Sequence, residues 1–167
     1  MVDKMTKNLI LCLSPKAGLL ITGLISTTLL SGALFFQYVI GLAPCNLCIW
    51  QRWPHVLVMI FSLLGLVGIH PKKMLFLIFS AGIASTSLGI YHAGIEWQLW
   101  AGPSSCSLNI DPQDSISNIT DQLLNTALMR CDEVPWALFG ISMAGWNALI
   151  SLDIVAASIL ALRKVVR

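Results

Sequence analysis

Four stretches of this 167-residue chain run for the length of a membrane-crossing helix with almost no charge in them. A helix needs about 20 apolar residues to cross hydrocarbon, with about 17–25 tolerated. The first stretch is free of charge from Ala17 to Gln51, and its apolar part predicts a span over 17–40. The second predicts a helix over about 49–69, the third over 74–95, and the fourth over 136–162, broken only by Asp153. Charged residues make up 11% of the chain, hydrophobic ones 56%, and the mean hydropathy is +0.79. Soluble domains carry about 25% charged residues, so this chain has too little charge to clothe a water-facing surface. A soluble globular domain, a disordered chain and a coiled coil are excluded. A net charge of +2 is too small to be a nucleic-acid footprint. The expected fold is all-α, an integral membrane four-helix bundle in a single domain over 1–167. It has a short outer loop over about 41–48 and a long one over about 96–135.

The position of the few charges orients the bundle. Lys4, Lys7 and Lys16 precede the first span, Lys72 and Lys73 join the second to the third, and Arg163, Lys164 and Arg167 follow the fourth. Basic residues near span ends mark the cytoplasmic face, so both termini are expected inside. Trp50, Trp53, Trp97, Trp100 and Trp136 fall at the outer ends, where an aromatic belt belongs. The first span loosely resembles a cleavable signal peptide, but its apolar run continues through Ile40, so an uncleaved anchor is expected.

Small residues recur every four positions in three spans: Gly23, Thr27 and Ser31; Ala81, Ser85 and Gly89; Gly140, Ala144 and Ala148. Such seams let helices approach closely where lipid supplies no hydrophobic drive between them. Asp153 is expected to be buried and hydrogen-bonded or protonated, and Asn147 to bond between helices. In the long loop, 114–129 predicts a surface helix with Asp114 or Ser115 as N-cap and an apolar stripe on one face.

The five cysteines divide by side. Cys45 and Cys48 form a Cys-x-x-Cys at the outer mouth of the second span, Cys106 and Cys131 flank the loop helix, and Cys12 lies alone on the cytoplasmic side. Four thus face the compartment where disulfides persist. Zinc needs four converging ligands, usually in two close pairs; here the second pair is widely spaced and the loop contains no histidine, so no metal is expected. Covalent haem needs His directly after the second Cys, where Ile49 stands. Two ordinary loop disulfides remain an alternative. Arg52 argues for reactivity: four residues after Cys48, it shares a helical face with it. A guanidinium and a helix N-terminus both stabilise a thiolate, which a permanent staple does not need.

Around these residues the chain resembles the disulfide-bond-formation protein B (DsbB) family, bacterial inner-membrane thiol oxidases that deliver electrons to quinone. The resemblance rests on 44–52 (Pro-Cys-Asn-Leu-Cys-Ile-Trp-Gln-Arg), on His92 to Cys106, and on Cys131 followed by Pro135-Trp136 and Phe139-Gly140. It implies that Cys106 and Cys131 form the disulfide that meets a soluble thioredoxin-fold oxidase of the DsbA type, with Cys106 taking the mixed disulfide. Electrons would then pass to Cys45–Cys48. Cys48 would face the quinone with Arg52 as its electrostatic support. His92 would stand near the quinone and help supply protons, unless it is only a hydrogen-bonded interfacial histidine, and Trp53 and Trp50 would flank the ring or anchor the belt. The cofactor would be ubiquinone or menaquinone, and the redox cysteines would face the periplasm. Two rivals stand beside this reading: a vitamin-K-epoxide-reductase-like quinone reductase, whose active pair belongs late in the chain, and a structural four-span protein with stapled loops. A transporter is disfavoured by the short chain and the lack of broken helix pairs.

Overall fold

The computed structural model describes residues 14–103 and 130–166. Helix α1 spans Pro15–Tyr38, α2 Asn46–Leu66, α3 Pro71–Glu96 and α4 Met143–Val166. All four are long and apolar enough to cross a membrane, and the protein is an all-α, multi-pass four-helix bundle. Local chemistry sets their ends. Ser14 caps α1, its Oγ accepting the Ala17 N–H at 3.2 Å, and Pro15 supplies a first residue already fixed in helical φ. Gly68, at φ 92°, lets the chain leave α2, and Pro71 starts α3 after His70. Ser142 caps α4 by accepting the Gly145 N–H at 3.1 Å.

That cap corrects the expected start of the fourth span. Residues 136–142 carry no charge and so extend the apolar pattern, but they do not form helix. Strands β1 (Ala137–Leu138) and β2 (Ile141–Ser142) pair as an antiparallel hairpin, with Ala137 opposite Ser142 and Leu138 opposite Ile141. Phe139 and Gly140 fill its two-residue turn at φ 53° and 77°, the positive values that a tight hairpin requires. The Trp146 indole N–H donates to the Leu138 carbonyl at 3.2 Å and ties the hairpin to α4. The expected loop helix over 114–129 lies outside the described residues.

The helices form a closed ring in which each packs on the next and α4 returns to α1. One half is apolar, around Leu19, Val58, Leu75, Ile78 and Ile154, all at most 1% exposed. The α3 and α4 seams meet: a Cβ on Gly89 would sit 2.9 Å from the backbone nitrogen of Ala148. The seam on α1 is shifted. Gly18, Thr22 and Ser26 face inward, whereas Thr27 and Ser31 are exposed. Gly140 belongs to the hairpin turn rather than to a seam. Asp153 also departs from expectation, standing exposed on the outer face of α4 because Ser151, Ile154, Val155 and Ser158 occupy its inward positions.

Candidate functional site

The outer ends of α2 and α3 and the chain entering the hairpin converge on a set of sulfurs. Cys45 is the N-cap of α2, in extended backbone, and its sulfur accepts the Cys48 N–H at 3.2 Å. The two sulfurs lie 2.9 Å apart, with the Cys45 thiol donating to Cys48. That bond, then burial, then the charge on Cys48 push the Cys45 thiol far above the ordinary thiol range. Cys45 is therefore the protonated member of the pair, and the anionic character belongs to Cys48.

His92 reaches this pair from α3. Its Nε2 lies 3.6 Å from the Cys45 sulfur and 3.9 Å from Glu96 Oε1. Glu96 also accepts the Ser142 hydroxyl, so the residue that caps α4 also ties the hairpin to α3. Cys131 is fully buried and disulfide-bonded. Its sulfur, the Cys45 sulfur and a His92 ring nitrogen all lie within 4.8 Å of one another. A sulfur held in a disulfide is not a thiolate ligand, so within this trio only Cys45 and His92 offer metal-ligating atoms. Leu47 and Ile95 pack around the sulfurs. Beside it, Arg130 holds Asp132, Nε to Oδ1 at 3.0 Å, and this bond draws the Asp132 carboxyl below its ordinary range.

A cavity of about 410 Å³ opens beneath the pair, between α1, α2 and α4. Its walls are mainly apolar, from residues such as Leu29, Leu30, Phe36 and Ile150; Cys48, Gln51, Arg52, His55, His92 and Asn147 supply polar groups, and Glu96, Arg130 and Glu133 bring charge to its rim. The Arg52 guanidinium is fixed by Gln37 on α1, Nη1 to Oε1 at 2.6 Å.

The sequence profile of the family described as Disulfide bond formation protein DsbB matches residues 15–161. The chain belongs to the DsbB family. It is 32% identical over 164 residues to Disulfide bond formation protein B of Burkholderia thailandensis, covering 92% of this chain and 93% of that one. The protein of the same name from Verminephrobacter eiseniae is 32% identical over 142 residues, covering 81% and 79%. An uncharacterized protein of Rickettsia prowazekii is 30% identical over 131 residues, covering 77% and 76%. Membership makes this chain a disulfide-forming membrane oxidoreductase.

Within this DsbB-family bundle the structure brings together Cys45, Cys48, Cys131 and His92, and places Arg52 on the same cavity. Cys106 lies outside the described residues, as does Cys12. Trp53 is not brought to the cavity. One position beyond Arg52 on the helix, it is turned outward and is 62% exposed, as is Trp50 at 64%. Gln51, His55 and Gln37 were not singled out from sequence, and Asn147 was assigned only an interhelical bond. Polar side chains inside an apolar span were the available signal. Gln51 and His55 follow Cys48 at three and seven residues, on its own face of α2.

Proposed function

We propose that this protein reoxidises a soluble thioredoxin-fold oxidase of the DsbA type outside the cytoplasmic membrane and passes the electrons to a membrane quinone, ubiquinone or menaquinone. The observation that carries the reading is the position of one buried sulfur cluster on two boundaries. Cys131 and Cys45 lie within exchange distance on the loop side, while Cys48 lines a membrane-level apolar cavity on the other.

The sequence of steps balances two electrons and two protons. The partner dithiol reduces the disulfide that Cys131 forms, which we assign to Cys106, and leaves as the partner disulfide. The resulting loop dithiol reduces a Cys45–Cys48 disulfide, re-forming its own bond. Cys45 and Cys48, now thiols, are oxidised back to the disulfide as two electrons and two protons leave the pair. The quinone, when bound, is the two-electron acceptor. DsbA-type disulfides, near about −120 mV, are among the strongest thiol oxidants, so a thiol pool is a poor reoxidant and a quinone a good one.

The cavity suits that acceptor. Its volume lies in the usual range for small-molecule sites, about 300–1,000 Å³, and its mix of apolar wall and few polar groups matches an aromatic ring with a hydrocarbon tail. Arg52 holds positive charge at the wall, supports the thiolate of Cys48 and offers N–H donors to a ring oxygen. His92 presents a further polar group from α3. Leu47, Ile95 and the apolar cavity wall exclude water from the sulfurs.

The test is quinone reduction by the detergent-purified protein, followed by absorbance with a reduced thioredoxin-fold partner as donor. Turnover is expected to vanish in Cys48→Ser and to fall at least tenfold in Arg52→Ala. Absence of turnover with either quinone, with two disulfides intact on non-reducing mass analysis, overturns the reading in favour of a stapled structural protein.

A further inference from the structure

One polar chain passes through the bundle interior, and its hydrogen positions are forced. The Gln51 amide nitrogen lies 3.3 Å from the Leu88 carbonyl and 3.0 Å from His92 Nδ1. A carbonyl only accepts, so the –NH₂ end of Gln51 faces both, and Nδ1 must accept from it. The Gln51 oxygen then accepts from Asn147 Nδ2 at 3.2 Å. The Asn147 oxygen in turn accepts from His55 Nε2 at 2.8 Å, so His55 carries its proton there. Its Nδ1 is left to accept from the Ser26 hydroxyl at 3.4 Å. Every donor from Ser26 through His55, Asn147 and Gln51 to His92 points the same way. Neutral His92, accepting at Nδ1, carries its proton on Nε2, the nitrogen 3.6 Å from the Cys45 sulfur, and the ring also donates to the Cys131 backbone.

Two amides in series make this chain a poor proton wire, because neither passes a proton without a high-energy imidic tautomer. It is well suited to hold an orientation. Side chains from all four helices contribute, and the Leu88 carbonyl on α3 decides which way the Gln51 amide faces.

We propose that Gln51 is a positioning residue: it fixes His92 as the Nε2–H tautomer and holds that N–H between the Cys131 backbone carbonyl and the Cys45 sulfur. The N–H stabilises charge on that sulfur whenever exchange with the Cys131 disulfide leaves the electron pair there. The inference deepens the function proposed above and rests on it only for the purpose of the exchange; the tautomer itself does not depend on quinone. Cys48 also acts on Cys45, and Cys131 lies within 4.8 Å of it. The charged groups on the same cavity are Arg52 from α2, Glu96 from α3, and Arg130 and Glu133 from the chain before the hairpin.

The experiment is nitrogen NMR on quinone-free protein carrying ¹⁵N-histidine, joined to alkylation of Cys45 in a Cys48→Ser background. In the wild-type protein His92 Nδ1 is expected to resonate as an unprotonated nitrogen and Nε2 as a protonated one. Gln51→Leu is expected to pull the two resonances together as both tautomers populate. In the Cys48→Ser background it should also slow Cys45 alkylation at fixed pH about threefold. The same substitution should change that rate no further once His92→Ala is present. A wild-type spectrum with the proton on Nδ1 overturns the proposal without any variant, so a misfolded Gln51→Leu does not rescue it. An equal slowing with and without His92 overturns it too, since that is what a general packing defect produces. Failure of quinone reduction alongside the expected spectrum sinks the functional reading and leaves this one standing.

Discussion

The chemistry of the site turns on an asymmetry between two cysteines three residues apart. Cys45 donates its thiol hydrogen and is buried beside Cys48, so its proton is held well beyond the ordinary thiol pKa of about 8.5. Cys48 accepts that hydrogen, with Arg52 one turn on along the same face, so the negative charge of the pair sits at Cys48. Brief iodoacetamide treatment of the reduced protein near neutral pH is expected to label Cys48 first, with Cys45 following only after alkalinisation. In Cys48→Ala the bond that holds the Cys45 proton is gone, and Cys45 is expected to react at lower pH than in the wild type. The sign for stability follows. The folded protein keeps the Cys45 proton longer than the unfolded chain does, so this contribution is present below the unfolded thiol pKa and declines as pH rises through it. Peptide mapping by mass decides the order; Cys45 labelled first would overturn the assignment of charge.

At the scale of elements, the close approach of α3 to α4 is what brings His92 and Glu96 over the α4 cap. Gly89 sits at its tightest point, where an added Cβ would meet the Ala148 Cβ and backbone nitrogen at 2.9 Å. Gly89→Val is expected to cost about 1–3 kcal/mol, the usual penalty for overpacking a well-filled interface. Thermal unfolding in detergent should show it as a lower midpoint. Ala148→Gly should restore only part of the loss, because the backbone of α4 remains in the way, and full restoration would place the strain elsewhere. That these seams mark close helix contacts was legible in the sequence, since small residues at four-residue spacing let spans approach; which seam meets which was not. The α1 seam was harder to place: Gly18-Thr22-Ser26 and Gly23-Thr27-Ser31 lie side by side on the helix, and hydropathy does not choose between them. The bond from Thr22 to Ser62 on α2, at 3.3 Å, shows which faces inward. The hairpin before α4 was missed because an uncharged apolar run is compatible with either structure, and only the Phe139-Gly140 turn distinguishes them. Among the site residues, cysteine spacing and the placement of Arg52 were readable from local chemistry. Gln51, His55 and Asn147 were not, because their function exists only where three helices bring them together.

The whole molecule divides the labour by depth. The half of the bundle around Leu19, Leu75 and Ile154 has an apolar core, the middle is a layer of hydrogen-bonded polar side chains, and the far end carries the sulfurs. Helix α2, at 21 residues, is about 32 Å long at 1.5 Å per residue, enough to cross a hydrocarbon core of about 30 Å. Cys45 at its start and the Lys72–Lys73 pair just beyond its end must then lie on opposite faces. In the sequence, eight of the ten basic residues precede the first span, join the second to the third or follow the fourth, and by the proposed reading that face is cytoplasmic and the sulfurs look outward. Under the proposed function an oxidising compartment feeds the cluster from there, while the cavity beneath it takes an electron acceptor from the lipid. Lys73→Cys in a background lacking the other cysteines is expected to resist a membrane-impermeant maleimide in spheroplasts until the membrane is opened. Ala43→Cys, at the other end of the bundle, should react at once. The reverse pattern would put the sulfurs in a reducing compartment, where a disulfide-forming cycle would have no use for a quinone.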